Sequence, residues 1–189
     1  MLLLAFAFQI VPNMKLFVLL LITGLLVTDA FGGGPDEFSG IQCGSDIAKA
    51  LIGKRMSNET IVVAEKKHAD LSLKHLGADE ISDRMNSISW SICGSEYMVL
   101  EVGDIVRDVL KVPPHSKTSP EFLGECEMNG KESKDVVIAI LDNEKDAGAS
   151  SLPAKVAWKI DQNKMKFVPI PVEGLRCPRS GVITSDGGL

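Results

Sequence analysis

The chain has 189 residues, of which 45% are hydrophobic and 24% are charged, and its formal net charge at pH 7 is −5. This length suits one ordinary domain with a buried core. The acidic balance, without any cluster of basic residues, argues against nucleic acid and against an anionic membrane surface as partners.

The N-terminus has the pattern of a secretory signal peptide over residues 1–30. A basic residue precedes the apolar run 16–27, which is shorter than the roughly 20 residues that a membrane-spanning helix needs. Small residues fit cleavage after Ala30, and cleavage after Gly32 fits as well. Met14 offers an alternative start. We therefore expect a secreted or periplasmic protein with no stable membrane span after cleavage.

The rest of the chain divides into a leader and one domain. Residues 31–40 contain three glycines in a row and a proline, which predicts a flexible leader. Residues 41–189 are predicted to form a single disulfide-stapled β domain. One short helix opens this domain, with Ser45 as N-cap, Asp46 in the first turn and Gly53 at the end.

Period-two patterns follow that helix. The β-branched segment 60–65 predicts a strand. Segment 86–92 alternates apolar residues with serines, which predicts a strand with one apolar face, and 97–100 is predicted to return beside it. Segment 105–112 fits either a strand or a helix before two prolines end it.

The second half is predicted to continue in strands. An Asn-Gly turn follows segment 122–128, and segment 136–141 is apolar throughout, as expected of a central strand. Segments 154–160 and 165–172 complete the set, the last as an edge because of its prolines. The predicted fold class is mainly β, an antiparallel sandwich or small barrel of about eight strands with one short N-terminal helix.

Four cysteines stand in the domain, and their even number together with the signal peptide predicts disulfides. The pairing Cys43–Cys93 with Cys126–Cys177 is slightly favoured over the two other pairings. Zinc is the rival interpretation, but close cysteine pairs such as C-x2-C are absent. We predict no metal site and no cofactor.

Two groups of residues are candidates for function. The loop residues Pro114, His115 and Ser116 follow a rigid proline pair and form a candidate binding loop. Adjacent Ser and His residues also raise the alternative of catalysis around His115, although catalytic pairs are set by the fold and not by sequence neighbours.

The second group, His68, Asp70 and His75, matches no standard metal-ligand spacing, and the simplest interpretation is solvated histidines on a segment that connects strands. No catalytic motif such as G-x-S-x-G occurs in the chain.

The expected function is therefore a secreted or periplasmic binding module whose partner is an unidentified extracellular or periplasmic protein or small ligand. The alternative is a small extracytoplasmic hydrolase with a loop-borne site around His115 or around His68, Asp70 and His75. Whether the protein is an enzyme stays open, and a non-enzymatic role is favoured.

Overall fold

The computed structural model describes residues 36–56, 59–144 and 148–183. The chain is mainly β and forms two antiparallel sheets with few helices, as in a sandwich. The predicted signal peptide and residues 31–35 of the predicted leader lie outside the described residues.

The first sheet is a meander of four strands in the order β1-β2-β3-β4. Two of its turns, Cys93-Gly94 and Gly103-Asp104, have positive φ at both residues, as type I′ hairpin turns require. The segment 105–112, for which the sequence left helix or strand open, is strand β4. The strands are β1 (Lys74–Ser82), β2 (Met85–Ile92), β3 (Ser95–Val102) and β4 (Ile105–Lys111).

The second sheet has six strands and runs β10-β5-β6-β7-β8, while β9 pairs with both β5 and β7 and so curls the sheet back on itself. The predicted central strand 136–141 is confirmed, since β6 lies between β5 and β7. The predicted edge is β8. The strands are β5 (Glu121–Met128), β6 (Lys131–Leu141), β7 (Ser151–Asp161), β8 (Lys166–Pro169), β9 (Leu175–Pro178) and β10 (Val182–Ile183).

The described ranges contain two short α-helices, where the sequence predicts one. The predicted helix is α1 (Ile47–Leu51), although its N-cap is Asp46, whose side chain accepts a hydrogen bond from the Lys49 backbone. The strand predicted over 60–65 is wrong, because α2 (Ile61–Lys67) occupies that segment. Short 3-10 turns follow at Ala69–Leu71 and Arg179–Gly181.

Helix α2 shows how packing overrides local propensity. Its β-branched residues are largely exposed, and Val62 is 73% exposed, whereas Ala64 is buried in the core. Lys67 at the helix end forms an ion pair with Asp36 at 2.6 Å. A cation suits a helix C-terminus, and these tertiary contacts outweigh the modest β-preference of the sequence.

The core has three parts, because both sheets bury both faces over much of their length. One cluster packs the helices and Phe38 against Trp90 and the apolar face of the first sheet. A second lies between the sheets and includes Met98, Leu100, Ile138 and Ile140. A third fills the curl of the second sheet around the disulfide of Cys126 and Cys177.

Part of the segment predicted as a flexible leader belongs to this fold. The compact unit starts at Asp36, five residues before the start that the sequence predicts for the domain. Phe38 is 2% exposed and makes an edge-on ring contact with Trp90, with centroids 5.0 Å apart. A buried aromatic ring of this kind fixes the chain around it.

The favoured disulfide pairing is confirmed. Cys43–Cys93 joins the segment before α1 to the β2–β3 turn, and Cys126–Cys177 joins β5 to β9. Each bridge holds one of the two sheets to a segment distant in sequence, so each sheet has its own staple.

Candidate functional site: the junction of the two sheets

The chain crosses from the first sheet to the second through residues 112–120, called here the crossover loop. The Val112 N–H donates to the Glu96 carbonyl on β3, and the Leu141 N–H donates to the Pro120 carbonyl, both at 2.9 Å. The loop is thus fastened to both sheets at its base. It contains all three residues of the predicted binding loop.

Three side chains converge at the base of this loop, and they are called here the junction cluster: Glu96 on β3, His115 in the crossover loop and Glu121 at the start of β5. His115 Nε2 lies 3.6 Å from Glu96 Oε2. One potential metal-ligating atom from each of the three residues lies within 4.8 Å of the others. The cluster therefore draws one residue from each sheet and one from their connection.

Strand register explains why two carboxyl groups point into the layer between the sheets. Glu121 is paired with Ile140 across β5 and β6, so both side chains point to the same face. Glu96 precedes Met98 by two residues on β3 and shares its face. Met98 and Ile140 both belong to the cluster between the sheets. The two acids thus occupy one end of an otherwise apolar layer.

Glu121 is the most deeply buried residue of the cluster, and burial of its charged form is unfavourable. It is 2% exposed, and its Oε1 has no hydrogen-bond partner. Burial, the charge of Glu96 and a hydrogen bond with it, and the charge of Asp79 together raise the pKa of Glu121 to about 8. A buried carboxyl beside other acids binds a proton at neutral pH because two negative charges there would repel each other.

His115 presents a defined ring nitrogen to this pair of acids. Its Nδ1 lies 3.4 Å from the Pro113 carbonyl oxygen. A carbonyl oxygen only accepts, so an N–H at Nδ1 can donate to it, and Nε2 faces Glu96 Oε2. The side chain is 10% exposed, so the ring is held in place and is barely wetted.

The other two residues of the predicted binding loop lie outside the cluster. Pro114 is exposed at the loop surface. The Ser116 hydroxyl lies 3.2 Å from the Thr118 hydroxyl and accepts from the Ser119 N–H, which closes a small turn. Within the described residues, the Ser116 hydroxyl therefore belongs to this turn and does not form a nucleophile–base pair with His115.

The second predicted group does not come together. His68 Nε2 pairs with Asp36 Oδ1 at 2.9 Å, whereas the His75 ring contacts Trp90 edge-on with centroids 4.9 Å apart. Asp70 belongs to no potential metal-ligand group in the described ranges. The interpretation of these histidines as solvated loop residues is wrong as well, because both help to pack the N-terminal segment on the first sheet.

Asp36 is the acidic centre of that packing. Burial alone would raise its pKa, but Lys67 and His68 stabilise the carboxylate by hydrogen bonds and charge and hold the pKa well below its usual range. Burial also lowers the pKa of His75, with partial opposition from Glu65. Asp36, Lys67 and His68 pair with one another and stabilise the fold.

Sequence reasoning missed Glu96 and Glu121, and a signal for both was present. Each acid stands two residues before an apolar residue of its own strand, Met98 or Leu123. An acid in line with the apolar residues of a strand that is largely buried is unusual enough to mark a candidate site.

Within the part of the chain that the structure describes, no helix has the length and apolarity needed to cross a bilayer. No protein-family model matches the chain, and no curated protein or solved structure is significantly similar to it. Two disulfides in one domain are typical of proteins outside the cytoplasm.

Proposed function

We propose that this protein is a secreted or periplasmic binding module that engages its ligand with the crossover loop and the junction cluster beneath it. The observation that carries this proposal is the convergence of Glu96, His115 and the buried Glu121 at the base of a loop fastened to both sheets. A rigid loop loses little conformational freedom on binding, so more of its contact energy appears as affinity.

Two further features support this proposal. The two disulfides suit an oxidising compartment. The outer residues of the loop, Pro114, Ser116 and Thr118, are exposed, while the cluster below them is nearly dry, and polar groups in such surroundings act strongly on a bound ligand.

The binding role is tested by capture of extracellular or periplasmic material from the producing organism with wild-type protein and with two variants. His115→Ala alters the cluster, and Gln162→Ala alters an exposed turn before β8. We expect His115→Ala to lose the material that wild type and Gln162→Ala both retain. Equal capture by all three proteins, with matching melting curves, would refute a binding role for the junction.

The compartment is tested on the same preparation. Edman or mass-spectrometric sequencing of the exported protein should find a new N-terminus after Ala30 or Gly32. A protein that keeps its first residues, or that stays in the cytoplasm with four free thiols, would refute the proposed localisation.

A small hydrolase is the second candidate function, and one observation favours it. A carboxyl with a raised pKa next to a carboxylate and an imidazole has the composition of a general acid–base site. Hydrolysis of ester, phosphoester or glycoside reporters by wild type, with loss in Glu121→Gln, would move the protein into this class.

A further inference from the structure

We propose that the junction cluster binds a divalent transition-metal ion of the zinc type through Glu96, His115 and Glu121, and that this ion ties the two sheets together. The inference rests on the proposed function only in placing the binding site at the junction. The inference identifies the class of ligand that the junction cluster binds without the help of a partner.

The donor set selects the metal. One imidazole nitrogen with two carboxylate oxygens suits zinc and its neighbours in the first transition row. Calcium takes six to eight oxygen ligands, many more than the cluster supplies. Magnesium keeps most of its waters, which suits a nearly dry site poorly.

The distances fit one ion. Metal bonds of about 2.0–2.2 Å in a tetrahedral arrangement place neighbouring ligand atoms about 3.3–3.6 Å apart. Glu96 Oε2 and His115 Nε2 already have this separation, at 3.6 Å. All three ligating atoms lie within 4.8 Å of one another, so small side-chain rotations of Glu121 complete the set.

The surroundings of two ligands support the same conclusion. His115 Nδ1 faces the Pro113 carbonyl at 3.4 Å, and metal-bound histidines commonly donate their second ring N–H to such an oxygen. Glu121 Oε1 is buried without a partner, and a buried polar atom of this kind is costly unless something binds it.

Charge supports the same kind of ion. A divalent cation balances the two carboxyl groups that Glu96 and Glu121 bring together at the junction. Three protein ligands leave one tetrahedral position for water or for a donor atom of the bound partner. Glu96 and His115 are 17% and 10% exposed, so the cluster is not fully closed off from solvent.

The test is zinc binding by full-chain protein that carries no histidine tag, measured by competition with a chromophoric chelator and by thermal unfolding. The variants are Glu121→Gln and His115→Ala. Glu125→Gln is the matched control, because Glu125 lies on the same strand and is exposed. Glu121→Gln replaces the carboxyl by an uncharged amide of equal size, so it preserves the packing at this position.

We expect zinc to raise the melting temperature of wild type and Glu125→Gln, and we expect both cluster variants to bind zinc at least tenfold more weakly. Millimolar magnesium or calcium should not displace zinc. Equal zinc affinity in wild type and Glu121→Gln, no zinc binding by wild type, or displacement by calcium would overturn the inference.

The two proposals fail separately in these experiments. Zinc binding that depends on the cluster, together with unchanged capture by His115→Ala, would leave the metal site standing and refute the binding role of the loop. If the protein does not bind zinc, and capture depends on His115 but is insensitive to chelator, the binding role of the loop would stand and the metal site would be refuted.

Discussion

Glu121 gives the sharpest prediction about stability, because it is a carboxyl buried at the junction with a pKa of about 8. The folded protein holds a proton on this group at pH values where the unfolded chain releases it. Stability therefore is fully present below the ordinary glutamate pKa of 4.5 and falls as the pH rises toward 8.

The magnitude follows from the same two values. One pKa unit corresponds to about 1.4 kcal/mol, so a rise from 4.5 to about 8 corresponds to a loss of at most roughly 5 kcal/mol across this pH range. The amide of Glu121→Gln carries no proton that can dissociate. Wild type and variant should thus be similarly stable near pH 5, and the variant should be the more stable near pH 9.

The assay is chemical denaturation of wild type, Glu121→Gln and Glu125→Gln at several pH values between 5 and 9, with a chelator present throughout. The difference between wild type and Glu121→Gln removes the contributions of all other titrating groups. Parallel pH profiles for these two proteins, or a wild type that gains stability relative to the variant as the pH rises, would refute the reasoning.

Three other changes test the fold. Cys126→Ser with Cys177→Ser opens a loop of 51 residues and should lower the free energy of unfolding by about 4 kcal/mol; denaturant curves that match wild type would contradict this. Asp36→Asn should cost about 1–3 kcal/mol at pH 7 because Lys67 and His68 lose their charged partner. That difference should shrink as the pH falls below the ordinary aspartate pKa of 3.8, because Asp36 of the unfolded chain then binds a proton while the native carboxylate stays charged; a constant difference down to pH 2 speaks against the ion pairs. Trp90→Ala should cost about 3–5 kcal/mol, and a loss below 1 kcal/mol by thermal unfolding would show that the first core cluster is not packed as described.

The strands were predicted correctly where a segment was apolar on one face only or apolar on both faces. Serines alternate with apolar residues in β2, and β6 is apolar over 136–141, so periodicity alone identified them. The prediction failed at α2, where β-branched residues favour a strand locally. The burial of Ala64 and the Lys67–Asp36 ion pair stabilise the helix instead. Neither contact can be recognised from a local sequence pattern.

The candidate site was predicted in part. His115 was selected because it follows two prolines in a loop, and the structure places that loop at the junction of the sheets. Its partners Glu96 and Glu121 come from strands on opposite sides of the connection. Sequence neighbours such as Ser116 could not supply them, because the partners of a buried side chain depend on how the sheets pack.

The sequence by itself determined the mainly β class, the positions of most strands and the even set of cysteines, because period and composition act over short distances. Only the tertiary structure decided the meeting of Glu96, His115 and Glu121, the role of Asp36 in the core, and the helical state of residues 61–67. These features depend on contacts between separate segments of the chain: the first requires the two sheets to pack together, and the other two require the N-terminal segment and α2 to pack on the first sheet.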